Sequence, residues 1–309
     1  MWDFSLSQAF GQVMRGAGAL AQRLLVFLAI ALALVLASLI LGWVGHIIGY
    51  FGSGLFQIRA GYWGAVLGTA IAIGALFFLR DHLLFHVTAP HALVLAGQAP
   101  DLTAARQQVA GTIGLPAPLM VLDLANRRAL HEITGLLGHD AVPLPVAGLE
   151  TSPRVARFWL NRAESQLDMV LLTQVLRAGT KNPFAAMQAA LVRHASAATV
   201  ILANASWLVV LRCAVLIPAF LVLLAPAAAL ARLLPVGDAG AVLVFGTFFT
   251  WALKAALVDP LEQACLLQLL SGDAAEPDAE VRAALAEGSR AFQTLETRAA
   301  SWATVLSAP

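Results

Sequence analysis

Four apolar runs divide the chain, and the segments between them follow a different pattern. The first run, LLVFLAIALALVLASLILGWV, extends from Leu24 to Val44 without an ionisable residue. About 20 such residues match the hydrocarbon thickness of a bilayer, and the run is too long for a signal-peptide core. It reads as an uncleaved span, with Arg15 and Arg23 preceding it. The second run, Trp63 to Leu79, is shorter and ends at Arg80-Asp81-His82. Tyr62 and Trp63 at its start are amphipathic rings of the kind found at the headgroup level. The third, Thr199 to Ala225, is interrupted by Asn204, Ser206, Arg212 and Pro218, which predicts that it faces other helices. The fourth runs from Ala239 to Val258.

Between the second and third runs the pattern becomes helical and amphipathic, broken by GLPAP at 114–118 and GHDAVPLPVAG at 138–148. Leu119 to Gly138 fits a surface helix whose apolar stripe needs a partner. Thr151-Ser152-Pro153 predicts a helix start, with Pro153 near the first helical position. From there to about Ala178, Arg154, Arg157 and Asn161 share one face and Phe158, Leu160, Leu167, Leu171 and Val175 supply an apolar surface. Such a helix either lies on an anionic leaflet or packs on its neighbours beside a positively charged flank; the second reading is preferred. No segment alternates like a strand. The tail opens acidic after Gly272, with Asp273, Glu276, Asp278 and Glu280. It then places Val281, Leu285, Gly288, Phe292, Leu295, Ala299 and Trp302 at steps of four and three, a stripe for docking on another helix or on the membrane surface.

Composition reinforces the pattern. Hydrophobic residues make up 60% of the 309 and charged residues 12%, with a mean hydropathy of +0.79. A water-soluble domain carries about twice that share of charge, so lipid must cover part of this surface. The 19 basic and 18 acidic residues nearly cancel, which argues against nucleic acid as a partner. Arginine distribution supplies an orientation. The loop at 45–62 holds only Arg59 and the turn after the third run only Arg232, whereas 80–198 holds nine arginines and Lys181. Under the positive-inside rule both termini and the middle stretch are cytoplasmic. Only Lys181 and Lys254 are lysines among the 19 basic residues and alanine is abundant, which suggests a GC-rich bacterial genome and hence a bacterial inner membrane.

These expectations define an all-α integral membrane protein with four transmembrane helices in two hairpins and amphipathic cytoplasmic helices. Residues 1–88 form an N-terminal amphipathic segment and the first hairpin, and 89–198 a cytoplasmic or interfacial helical region. Residues 199–270 form the second hairpin and 271–309 a helical tail. Two kinds of site stand out. Gly42, Gly45, Gly49 and Gly52 lie along one helix face, and Gly64 and Gly68 make a second small-residue pair; both let helices approach closely, within the chain or between copies. The fourth run closes on Lys254, Asp259, Pro260 and Glu262. Equal counting from a turn near residue 235 sets Arg212 beside Asp259, a partner for a charge that costs at least about 2.5–3.5 kcal/mol inside a bilayer. Pro260 has no N–H, which loosens the helix and exposes carbonyls to these cations. An ion pair fixing hairpin register is the preferred reading, and a polar pathway at the inner mouth the sharper one.

Other chemistry finds little footing. His82 and His86 share a helical spacing with Asp81 and His91 nearby, and His131-Glu132 precedes His139, but neither set fixes a third zinc ligand. Cys213 and Cys265 have no metal or redox spacing and read as small buried hydrophobes. There is no phosphate-binding glycine loop, no nucleophile motif, and no cofactor is expected.

The segment W-x2-K-A-x4-P-x3-A-x3-Q, made by Trp251, Lys254, Ala255, Pro260, Ala264 and Gln268, resembles a group of uncharacterised bacterial inner-membrane proteins. That group also carries an N-P-aromatic opening, matched by Asn182-Pro183-Phe184, and a tail motif similar to Ser289, Arg290, Phe292, Leu295 and Arg298. The resemblance covers roughly the last 130 residues and implies no activity. The same region is faintly similar to the carboxy-terminal part of choline transporter-like proteins, which implies solute transport as the alternative function. The first expectation is a non-enzymatic scaffold or accessory subunit whose partners are the bilayer, other membrane proteins or further copies of itself. The alternative is a small oligomeric transporter or channel.

Overall fold

The computed structural model describes residues 2–113, 116–137, 153–178, 182–235, 239–270 and 278–307, and they are all-helical, without a strand. In chain order the helices are α1 (Leu6–Arg15), α2 (Ala17–Gly49), α3 (Gly54–Leu83), α4 (Phe85–Leu95), α5 (Leu102–Ile113), α6 (Pro116–Leu137) and α7 (Pro153–Ala178). They continue as α8 (Pro183–Ser196), α9 (Ala198–Ala231), α10 (Ala239–Leu253), a π-helical turn (Lys254–Val258), α11 (Asp259–Leu270), α12 (Ala279–Gly288) and α13 (Arg290–Ser307). Among the described residues, four stretches are long and apolar enough to cross a membrane: Ala17–Gly49, Gly54–Phe78, Trp207–Ala231 and Ala239–Leu270. The punctuation at 114–115 and 138–148, His139, the helix start at Thr151-Ser152 and the acidic residues Asp273 and Glu276 lie outside the described residues. So do the side chains of His82, Arg154, Arg157 and Asn161.

The chain divides into two compact units. One comprises Met1–Ala19, His86–Leu211 and Pro260–Pro309; the other comprises Leu20–Phe85 and Arg212–Asp259. In the first, α6, α7, α8 and α13 pack on one another. The stripe foreseen on α6 is buried as Leu122, Leu130 and Ile133, against Leu167, Leu171 and Leu172 of α7 and Met187 and Leu191 of α8. Asn182 caps α8 by accepting from the Ala185 N–H at 3.1 Å, with Pro183 filling the first helical position. It also donates to the Ala299 carbonyl at 2.8 Å, while Phe184 meets Trp302 edge-on, so the tail is fastened to α8.

The tail stripe buries Leu285, Phe292, Leu295 and Ala299, but on two helices. Gly288 ends α12, and Ser289 is extended and caps α13 by accepting from the Phe292 N–H at 3.1 Å. A hydroxyl cap competes with continued helix, which is why the seam breaks there. The Glu132 carboxylate on α6 reinforces the new helix start. It accepts from the Ser289 hydroxyl at 2.7 Å and the Ala291 N–H at 2.9 Å, and these bonds hold its pKa below the ordinary carboxylate value.

The second unit is held by apolar contact. Phe27, Ala31, Leu34, Val35 and Leu39 of α2 pack with Ala227 and Ala231 of α9 and Phe245, Phe248 and Ala252 of α10. The opposite face of α2 is also apolar, since Leu25, Leu28, Leu32, Leu36 and Ile40 are exposed. A helix bathed in water would carry polar residues on that face. The third apolar run departs from its expectation. Its window is less buried than those of α2 and of the fourth stretch, because Val215, Ile217, Leu221 and Val222 point outward while Asn204 and Arg212 are buried. One buried polar stripe does not commit the whole circumference of a helix to packing.

The glycine pattern becomes a contact between α2 and α3. A methyl group on Gly45 would land on the Ala60 carbonyl oxygen, one on Gly64 on that of Leu41, and one on Gly68 on that of Ala37. Gly49 meets the Gln57 backbone and Gly42 meets Leu234 and Ala65, whereas Gly52 faces only its own neighbour Phe56. Rising positions on α2 therefore meet falling positions on α3, an antiparallel register in which absent side chains set the spacing. The Ser38 and Thr69 hydroxyls, 2.6 Å apart, continue it.

Candidate functional site

The segment from Trp251 to Asp259 changes helical period. Asp259 N–H bonds to the Lys254 carbonyl, five residues back rather than four. In that register the N–H due to the Ala255 carbonyl belongs to residue 260, which is a proline and has none. A buried carbonyl without a donor costs on the order of 1–3 kcal/mol, more where water is absent. The vacancy is filled from α2: Arg23 Nε donates to the Ala255 oxygen at 2.7 Å. The side chain is 2% exposed, its guanidinium lies 5.6 Å from the centre of the Phe27 ring, and Phe27 in turn meets Trp251 edge-on.

Within the same turn the Lys254 ammonium reaches the Asp259 carboxylate at 2.6 Å. Both side chains are largely buried, and Asp259 also attracts Arg23 electrostatically. The π turn creates this pair. Residues five apart on an ordinary α-helix lie about 140° apart around the axis, whereas the wider period of a π turn narrows that angle to about 50°. Arg212 is buried in α9 and Glu262 in α11.

The site thus joins Lys254, Asp259 and the carbonyl freed by Pro260 with a cation the sequence had placed outside the first span. Arg23 lies in the seventh position of α2, not ahead of it. Its signal was available in part, since the helix starts at Ala17, seven residues before the apolar run. Two further roles were not foreseen. In the first unit Asn204 binds the N-terminal arm, accepting from the Asp3 N–H at 2.8 Å and donating to the Asp3 carboxylate at 2.9 Å. Gln268 accepts from the Ser5 N–H at 2.9 Å and donates to its carbonyl at 3.3 Å. Asn204 is therefore a fastener rather than a flaw in an apolar helix.

Among the described residues no group of three His, Cys, Asp or Glu side chains is placed to hold a metal ion. Cys213 is exposed and Cys265 buried, both as free thiols. No family model matches the chain, and neither the curated proteins nor the solved structures contain one significantly similar to it. The residues of the Trp251–Gln268 and Asn182–Phe184 motifs are occupied with ring packing, an ion pair, a helix cap and a chain-end clamp.

Proposed function

We propose that this is a bacterial inner-membrane protein that crosses the bilayer four times in two hairpins, with both termini, the helical 89–198 region and the 271–309 tail in the cytoplasm. It acts through assembly, as a non-enzymatic scaffold or accessory subunit. The exposed apolar face of α2 and the arginines of 80–198 support the membrane reading and its orientation. The observation that carries the assembly reading is the use of the buried charges. Arg23 completes a helix register and Lys254 neutralises Asp259, so these groups act as fasteners of the second unit.

A transporter or channel is the second reading, favoured by the π turn itself, since such turns recur at functional sites. Native mass spectrometry of the protein released from lipid nanodiscs, beside solute-flux assays in proteoliposomes, separates the two. Assembly predicts a defined oligomer or a retained protein partner and no flux. A solute flux that Asp259→Asn abolishes in a protein still monodisperse by gel filtration overturns it.

A further inference from the structure

The second unit contains a cavity of about 140 Å³, walled by α2, α3, α10 and the residues just before α10. Of its lining, Ser38 and Phe245 are buried and Thr69 half-buried, which makes them the floor, while Tyr62, Val66 and Val244 are exposed and form the rim. The two floor hydroxyls ask nothing of a guest. They bond to each other at 2.6 Å, and each lies 3.0 Å from a carbonyl of its own helix, Leu34 for Ser38 and Ala65 for Thr69. The remaining wall is predominantly apolar. An apolar cavity of about 150 Å³ in a soluble protein stays dry and admits a six-carbon ring, so this one has room for a comparable length of hydrocarbon.

The position of the mouth selects the guest. Tyr62, Val66 and Val244 are 48%, 40% and 40% exposed, and all three belong to stretches long and apolar enough to cross a membrane. A mouth at that place starts at the headgroup level, where Tyr62 and the Leu234–Pro235 turn lie, and opens sideways along Val66 and Val244 into lipid tails. From Tyr62 to Thr69 the wall rises about 10 Å along α3, parallel to the direction in which acyl chains lie.

We infer that this cavity is a lipid site, which takes one acyl chain of a membrane phospholipid through the Tyr62–Val66–Val244 mouth. The inference rests on the membrane reading above. The guest's gain is modest at its tail, since lipid is already apolar, and comes from filling space that the protein leaves empty. Bound in this way, the phospholipid becomes a fixed part of the second unit and braces α3 against α10.

The test is photolabelling in nanodiscs with a phosphatidylethanolamine whose acyl chain carries a diazirine, followed by peptide mapping. Labels concentrated on the peptides bearing Thr69 and Phe245, reduced severalfold by Val66→Trp or Val244→Trp but not by Leu67→Trp, are expected. Leu67 is exposed on the same helix and does not line the cavity. Labels spread evenly over the exposed apolar faces and indifferent to all three substitutions overturn the lipid site and leave the membrane reading standing. Absence of label anywhere overturns both. Cross-links from Val66 and Val244 to a second copy, with the cavity unlabelled, also overturn it and make the mouth an interface between copies.

Discussion

Arg23→Met probes the assignment of the Ala255 carbonyl. Methionine keeps most of the stem that packs beside Phe27 and removes the donor. Two electrostatic effects oppose each other: the desolvation cost of a buried guanidinium is recovered, and its attraction to Asp259 is lost, with Lys254 still 2.6 Å from that carboxylate. Desolvation is the larger of the two, so its recovery offsets part of the cost of the orphaned carbonyl and leaves a net loss on the order of 1 kcal/mol. Pro260→Ala supplies the missing N–H five residues beyond Ala255. In that background the same Arg23→Met change should be neutral or stabilising, giving a coupling of at least about 1 kcal/mol. The assay is reversible unfolding in mixed micelles, followed by far-UV circular dichroism. Additivity of the two substitutions within about 0.5 kcal/mol would refute the reasoning, because it would mean that arginine and proline do not serve one carbonyl.

Gly64→Ala drives a methyl group onto the Leu41 carbonyl and should cost about 1–3 kcal/mol, whereas Gly74→Ala on the same helix meets open space and should be neutral or stabilising by up to about 1 kcal/mol in the same unfolding assay. Glu132→Gln weakens the start of α13 by about 0.5–1 kcal/mol and should speed amide exchange at Ala291 and Phe292. Because the folded carboxyl is held below its ordinary 4.5, this contribution is present above pH 4.5 and disappears as pH falls through the lowered folded value; Glu132→Gln removes that part of the acid sensitivity. His194 is buried at the end of α8, and burial lowers its pKa from 6.5 to about 4. The unfolded chain takes up the proton first on acidification, so stability should fall by on the order of 3 kcal/mol between pH 6.5 and 4, and a titration of the midpoint that stays flat in this window would contradict the burial.

Much of the architecture was written locally. Long apolar runs, a three-and-four stripe and a row of small residues are periodic signals. Each follows from what a single helix must do with its surface, whatever partner it finds. The glycines at 45, 64 and 68 announced close approach, and the stripe from Leu285 to Ala299 announced a docked tail. Pro260 announced a carbonyl in need of a donor. Hydropathy along one dimension reports that a position wants burial, and it is silent on which group will be there.

The tertiary structure decided the partners. The donor for Ala255 comes from 232 residues away, and the glutamine that clamps Ser5 from 263 away. Neither separation leaves a trace in a helical period. Asn204 looked like a defect in an apolar run because its partner, Asp3, lies at the other end of the chain. The same holds for the division into two units, which cuts α9 between Leu211 and Arg212 and the last apolar stretch between Asp259 and Pro260. Sequence determined which stretches are helical and which faces avoid water, because those depend on near neighbours. Pairing of buried polar groups depends on distant ones, brought together only when apolar packing has already fixed where each helix lies.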